Sequence, residues 1–245
     1  MQFPRTLFLN KVLIMRRLVA SLAAVLALSG CYSTQTTSGA DYLARGPIAD
    51  PAIRAAAAVE PDLRFPARIG IARVVNGALT VAPPEEAEIF GDFARRNGGM
   101  GEWVGLSPLM AGFVEAGDDV PLTDRLRRIA ARQHIDYLLV YELGARSGPT
   151  GDTPFALADV TIVGGLLLPT RTTRATGVGA AVFLDVRNGY PYGTAQASED
   201  LSGLARSWSA DRANARLRDR AMRRTARALL PEVEEMLDAL QAAAR

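Results

Sequence analysis

The 245-residue sequence has little cysteine, histidine or lysine, with one residue of each type: Cys31, His134 and Lys11. These scarcities exclude an intrachain disulfide, a Cys/His zinc cluster and a Cys–His catalytic pair. It also lacks an excess of either charge, since 28 basic residues stand against 26 acidic ones, which argues against a general nucleic-acid-binding protein. The hydrophobic fraction of 49% is typical of a folded globular chain.

The amino terminus is organised like a secretory signal. Met15-Arg16-Arg17 precedes an apolar stretch at Leu18–Ala27, and Leu28-Ser29-Gly30-Cys31 follows it. A basic segment, a short apolar segment and small residues are typical of a signal peptide. The apolar stretch is too short to span a bilayer, which takes about 20 residues. We therefore predict residues 1–30 as a signal peptide, with either Met1 or Met15 as the start.

The motif Leu28-Ser29-Gly30-Cys31 resembles the lipobox of bacterial lipoproteins. The resemblance implies cleavage before Cys31, a thioether-linked lipid on its sulfur and acylation, for example with palmitate, of the new amino terminus. The domain would then be anchored to the cell envelope and face the periplasm. Tyr32 follows the cysteine where an Asp would favour the inner membrane, so the outer membrane is expected. An ordinary signal peptide with a chance cysteine, or an amino-terminal membrane anchor, are the alternatives.

The mature chain is predicted to have two parts. Residues 31–66 are predicted as the lipidated cysteine and a flexible tether, because Ser33–Gly39 is small and polar and prolines recur after it. Asp50-Pro51 predicts a short helix within this segment. Residues 67–245 are predicted as a single periplasmic domain. Removal of residues 32–60 is accordingly expected to leave stability almost unchanged.

The predicted elements of this domain define an α/β fold. Two Asn-Gly pairs, at Asn76-Gly77 and Asn188-Gly189, predict β-hairpins. The apolar segment Asp136–Leu143 predicts the central strand. Further predicted strands lie at 67–75, 78–81, 102–107, 156–168, 176–187 and 190–197, and predicted helices at 84–96, 123–133 (with Thr123 as its cap) and 209–243. We predict a two-layer or three-layer sandwich of a mixed β-sheet with flanking helices and a long C-terminal helix.

This element order resembles the periplasmic domains of the curli-secretion lipoprotein, the penicillin-binding-protein activator lipoproteins and the TolB amino-terminal domain. The resemblance is carried by Arg68–Ala72 as first strand, by Ala130–Val140 as a helix leading into a strand, and by Val182–Gly189 before the last strand and helix. It covers about residues 67–240. It implies an architecture and no particular chemistry.

No catalytic constellation is recognisable, and we predict no catalytic residue, metal or cofactor. Gly-x-Ser-x-Gly does not occur, and the glycine-rich segments lack the spacing of a phosphate-binding loop. His134 lies between a predicted helix and the central strand, where a histidine more often complements the helix end than acts as a base.

A row of arginines on the last predicted helix is the candidate binding surface. Its members lie three or four residues apart: Arg212, Arg216, Arg220, Arg223 and Arg227. The favoured interpretation is a solvated helix face. The alternative is a surface for an anionic partner, such as peptidoglycan carboxylates, lipid phosphates or an acidic protein.

These observations favour a non-enzymatic binding or assembly factor of the cell envelope, with a protein or peptidoglycan partner and no nucleic acid. A subunit of an oligomeric secretion or transport assembly is one alternative, with Ala156–Leu168 and Thr176–Phe183 as its only candidate membrane-inserting strands. A hydrolase using His134 or carboxylates is the other. The sequence does not set the oligomeric state.

Overall fold

The computed structural model describes residues 30–113, 120–148, 151–152, 171–205 and 209–244. It shows an α/β fold with one mixed sheet, flanking helices and a long C-terminal helix, as predicted. The strands are β1 (Gly30–Thr34), β2 (Ala67–Val75), β3 (Ala78–Thr80), β4 (Gly101–Gly105), β5 (Tyr137–Ser147), β6 (Gly151–Asp152), β7 (Arg171–Asp185) and β8 (Pro191–Ala205). The helices are α1 (Gly39–Leu43), α2 (Pro51–Ala57), α3 (Pro84–Arg96), α4 (Leu122–Arg132) and α5 (Ala210–Ala243).

The sheet has the order β1-β8-β7-β5-β2-β3, and β5 is central as predicted. β2, β4 and β5 run parallel to one another, whereas β1, β8, β7 and β5 form an antiparallel series. The outer edge of β2 is shared, because β4 pairs with its first half and β3 with its second half. β4 ends beside Ile71, in the middle of β2, and β3 pairs with β2 from Arg73 onward.

The two faces of the sheet are covered differently. On one face α3 and α5 bury the larger core, in which Leu139 and Phe183 of the sheet pack with Leu229 and Met236 of α5. On the other face α4 covers only the region of β2 and β5 and the end of β7. The structure is thus three-layered around β2 and β5, while the described residues leave two layers around β7, β8 and β1.

The two Asn-Gly turns have different geometries. Asn76 and Gly77 both have positive φ angles, 49° and 75°, as a two-residue type I′ turn requires. The second turn is longer, since β7 ends at Asp185 and β8 begins at Pro191. Its loop is closed by the buried Asp185 carboxylate, which accepts hydrogen bonds from the backbone N–H groups of Arg187 and Asn188.

The predicted flexible tether is corrected by the structure. β1 pairs with β8 through Gly30–Thr34, and α2 has the predicted Asp50 cap, whose Oδ1 accepts from the Ala52 and Ile53 N–H groups. Composition suggested a tether because the segment is polar, but Ser33 and Gln35 form hydrogen bonds with β8.

Tyrosine hydroxyls anchor the end of this segment on the domain. The hydroxyl of Tyr137 donates to the Asp62 carbonyl and accepts from the Arg64 N–H, each at 2.8 Å. The hydroxyl of Tyr192 accepts from the Asp62 N–H at 2.9 Å. Burial raises the pKa of Tyr192, so its hydroxyl stays protonated at neutral pH. The folded unit therefore includes β1 and the segment that leads from it to residue 67.

The smaller differences between the prediction and the structure concern where helices and strands begin. Thr123 does not cap α4, because the helix already begins at Leu122 behind Pro121. β7 begins at Arg171, five residues before the predicted start at Thr176, and pairs along its whole length with β8. The predicted strand 156–168 lies outside the described residues.

Candidate functional site

Cys31 lies on the edge strand β1 with an exposed side chain. Its neighbour Gly30 faces α5, since a Cβ at Gly30 would lie 2.4 Å from Oε1 of Glu232. Successive side chains of a strand point to opposite faces, so Cys31 points to the face away from α5. The thiol is accessible there for modification.

Cys31 borders a shallow groove of about 810 Å³ on this open face. Val178, 48% exposed, lies on its floor. Short side chains make up most of the remaining lining, among them Ala145, Ala180 and Ser198. Because β1 is hydrogen-bonded into the sheet, any group attached to Cys31 sulfur would lie directly against this face.

The arginine row is divided by the structure. Arg212, Arg216, Arg220 and Arg227 are exposed on α5. Arg223 is less accessible, and its Nη1 lies 3.1 Å from the Glu85 carboxylate of α3, so it joins the two helices. Binding of an anionic partner by this row remains a prediction. It now rests on the four exposed guanidinium groups.

His134 lies in the turn that ends α4. Its φ angle is 55°, and its N–H donates to the Ala131 carbonyl, while the Ile135 N–H donates to the Ala130 carbonyl. This pair of bonds is a Schellman motif, which satisfies the last carbonyls of a helix. The residue therefore belongs to the helix end through its backbone, and its side chain is exposed.

A buried polar cluster is the feature that the sequence interpretation missed. Arg73 of β2 donates from Nε to the Glu86 carboxylate of α3 at 2.6 Å and from Nη1 to the Thr80 hydroxyl at 2.9 Å. The Tyr141 hydroxyl of β5 donates to the same Glu86 oxygen at 2.8 Å. The side chains of Arg73 and Glu86 are only 13% and 10% exposed. A buried ion pair with a third donor is costly to desolvate unless its geometry is well satisfied, as it is here.

The surroundings of Tyr141 keep its hydroxyl in the donor form. Burial is the main cause that raises the pKa of Tyr141 far above its ordinary value, and the Glu86 carboxylate adds to the shift. Phe90 stacks on the Tyr141 ring with centroids 3.9 Å apart. The Tyr141 hydroxyl is therefore held as a donor to Glu86 beneath the Phe90 ring.

The alternation of side chains in β2 carried a signal for this cluster. Ile69, Ile71 and Arg73 share the face that packs against α3 and α5, so a charged residue stands in an inward-facing row. On α3, Glu86 precedes Phe90 and Phe93 at helical spacing on the buried side. Two opposite charges at inward positions indicate a buried pair, although the sequence alone does not show that they meet.

The Arg73–Glu86–Tyr141 cluster borders a pocket of about 420 Å³. Its walls come from the middle parts of β2 and β5, from β4 and the residues after it, from the end of β3 and from α3. Apart from Arg73, its lining residues are Ile71, Thr80, Val81, Ala82, Ala87, Phe90, Gly91, Ala94, Trp103, Gly105, Leu106, Ser107, Pro108 and Tyr141. The pocket therefore lies between α3 and the face of the sheet that α3 covers.

Within the described residues, no group of three or more His, Cys, Asp or Glu side chains is arranged to hold a metal ion. None of the helices in the described ranges combines the length and apolar character needed to cross a membrane.

No protein-family model and no curated protein matches the chain. Among solved structures, the PelC dodecamer from Paraburkholderia phytofirmans is similar, with 13% identity, 85% of this chain and 96% of that chain covered, and a TM-score of 0.35. A PelC variant dodecamer shares 15% identity over 72% and 92% of the two chains, also at 0.35. The hypothetical protein CT253 from Chlamydia trachomatis shares 10% identity over 72% and 98%, at 0.31. TM-scores this low carry no conclusion about function or assembly.

Proposed function

We propose that this chain is a lipid-anchored protein of the cell envelope that acts as a non-enzymatic binding or assembly factor, held to the outer membrane and facing the periplasm. One observation carries the proposal. The cysteine of a lipobox-like motif stands exposed at the edge of the folded domain, where its sulfur is free to carry a lipid. The anchoring half of the proposal rests on this motif.

The proposal that the protein is a binding factor rests on which polar side chains are already paired and which are exposed. The carboxylate of Glu86 is committed to Arg73 and Tyr141, and His134 serves a helix end. A partner surface is offered by the exposed α5 arginines and by the pocket beside Arg73. This arrangement supports recognition better than bond-making chemistry.

Replacing Cys31 by Ser should abolish membrane attachment. A serine hydroxyl cannot receive the thioether-linked lipid, and a stable anchor needs at least two acyl chains. Incorporation of radiolabelled palmitate and sedimentation with membranes would be compared for the wild type and the Cys31→Ser chain. Substitution at the exposed Ser33 of the same strand provides the matched control, since it preserves the motif. Equal palmitate labelling of the two chains would disprove the lipoprotein assignment.

The position of Cys31 on β1 also predicts how the anchored domain is oriented relative to the membrane. Because no tether separates Cys31 from the sheet, the open face with Val178 and Ser198 should lie against the bilayer, and α5 should point away from it. The helix layer adds about 10 Å to the distance between the bilayer and the outer surface of α5. The anchored domain should therefore have one fixed side towards the membrane.

This orientation is testable with a single introduced thiol. In the lipidated chain Cys31 is blocked, so a fluorophore on Ser198→Cys or on Asp219→Cys labels one position only. Both residues are exposed, the first on the open sheet face and the second on α5. We expect spin-labelled lipids to quench the fluorophore at residue 198 more strongly. Equal quenching at the two positions would show that the domain tumbles freely on its anchor.

A further inference from the structure

The pocket beside Arg73 has the composition of a binding site. Its volume of about 420 Å³ falls in the range of ligand pockets, about 300–1,000 Å³. Aromatic rings form much of its wall, and Trp103 is fixed there by a hydrogen bond from its indole N–H to the Asn97 carbonyl at 3.0 Å. Arg73 is the only charged residue in the lining among the described residues. Apolar walls with one directed polar group are typical of sites that orient a ligand.

Two glycines keep the pocket open. A Cβ at Gly105 would meet no atom within 4 Å, and a Cβ at Gly91 would meet only Nη1 of Arg95, at 3.7 Å. Neither residue has a positive φ angle, so neither is required as glycine by the backbone. The missing side chains leave space that nothing in the described part of the chain fills.

The polar group in the pocket is the Arg73 guanidinium, whose positive charge is paired with the Glu86 carboxylate. Nε and Nη1 of Arg73 bond to Glu86 and Thr80, while its Nη2 has no partner among the described residues. Because Glu86 already neutralises Arg73, an anionic ligand would bring an uncompensated negative charge into an apolar site, which is unfavourable. The donor is therefore suited to a neutral oxygen acceptor, such as an amide carbonyl.

The rim of the pocket indicates how a ligand would approach. Val81 lines the opening and is 75% exposed, and Leu109, next to the lining residue Pro108, is 82% exposed. These two exposed apolar side chains beside the pocket offer contact area to a polypeptide partner. An apolar residue within a polypeptide also brings its own neutral carbonyl to the donor.

We propose that this pocket binds one aromatic or aliphatic residue of a partner polypeptide, with a carbonyl of that residue accepting a hydrogen bond from Arg73. The inference rests on the proposed function in one respect, because it names the surface by which an anchored binding factor holds its partner. The site itself is defined by β2, β4, β5 and α3 and does not involve Cys31.

The probe for the test is N-acetyl-L-phenylalaninamide, which carries one aromatic side chain and neutral carbonyls. It would be titrated into the full chain carrying Cys31→Ser, and the indole N–H signal of Trp103 followed by NMR, assigned with Trp103→Phe. For a ligand this small we expect saturable binding with a Kd on the order of 1 mM.

Two comparisons make the test specific. Gly91→Leu places a side chain in the pocket and should weaken binding at least tenfold, whereas Gly91→Ala should bind like the wild type. The carboxylate probe N-acetyl-L-phenylalanine should also bind at least tenfold more weakly than the amide. Thermal unfolding of both Gly91 variants confirms that the fold is kept.

No saturable shift, equal binding by Gly91→Leu, or tighter binding of the carboxylate would each overturn the proposal. Because the measurement uses a chain without lipid, those outcomes leave the anchoring proposal untouched. Conversely, loss of palmitate labelling from the wild type would not affect the pocket.

Discussion

Replacing Glu86 by Ala is expected to lower the free energy of unfolding by about 3 kcal/mol, because it leaves the Arg73 guanidinium buried without its carboxylate. The Arg73 side chain is 13% exposed, so water reaches little of it. The Tyr141 hydroxyl loses its acceptor in the same variant. For a chain of this size the loss corresponds to a decrease in Tm of roughly 6–12 °C.

The control is Glu88→Ala, which removes an exposed carboxylate from the same helix and should change stability by less than about 0.5 kcal/mol. The double variant Arg73→Met/Glu86→Met should recover most of the loss, because it removes both charges together. Urea unfolding of the four chains measures the differences. Equal midpoints for Glu86→Ala and Glu88→Ala would mean that the buried pair contributes nothing to stability.

The sequence was most informative where local chemistry and burial agree. The type I′ turn at Asn76-Gly77 needs two positive φ angles, which asparagine and glycine adopt readily, and both are present. β5 was predictable because its apolar residues lie between neighbouring strands and between two helix layers. α2 was predictable because Asp50 caps its first turn and Pro51 suits that position.

The parts that were missed depend on contacts between distant residues. The segment Gly30–Thr34 has no apolar alternation, and it becomes a strand only because the edge of β8, more than 150 residues later, supplies its hydrogen-bond partners. The meeting of Arg73 with Glu86 and Tyr141 likewise depends on how α3 packs on the sheet. Local patterns show that a residue faces inward, but not which residue it meets.

In the candidate site, too, features that are local in sequence could be predicted, whereas contacts between distant residues could not. The lipobox-like motif is contiguous in sequence, so Cys31 could be singled out at once. The arginine row could be recognised from helical spacing, yet the pairing of Arg223 with Glu85 required the neighbouring helix. The pocket was not predictable, because its walls come from five elements spread over residues 71–141.

Removing residues 32–60 tests the corrected boundary of the domain, and we now expect a clear loss of stability. The deletion takes away most of β1, leaving the edge of β8 unpaired, and it removes the Thr37 carbonyl that accepts from the Tyr190 hydroxyl at 3.1 Å. It also removes the Glu60 carbonyl, the acceptor for the Asn188 amide at 2.9 Å. Each such bond contributes about 1 kcal/mol net, offset in part by the ordering entropy of the segment.

We expect a loss of about 2–4 kcal/mol for this deletion, equivalent to a decrease in Tm of roughly 5–15 °C. The matched control replaces residues 49–56, which are exposed on α2, with a Gly/Ser linker of equal length and so retains β1. That chain should unfold close to the wild type, because the bonds from Tyr190 and Asn188 are kept. Thermal unfolding of the non-lipidated Cys31→Ser chains provides the comparison. If the deletion and the linker chain unfolded at the same temperature as the wild type, β1 would be dispensable, and the domain would begin at β2 as its composition first suggested.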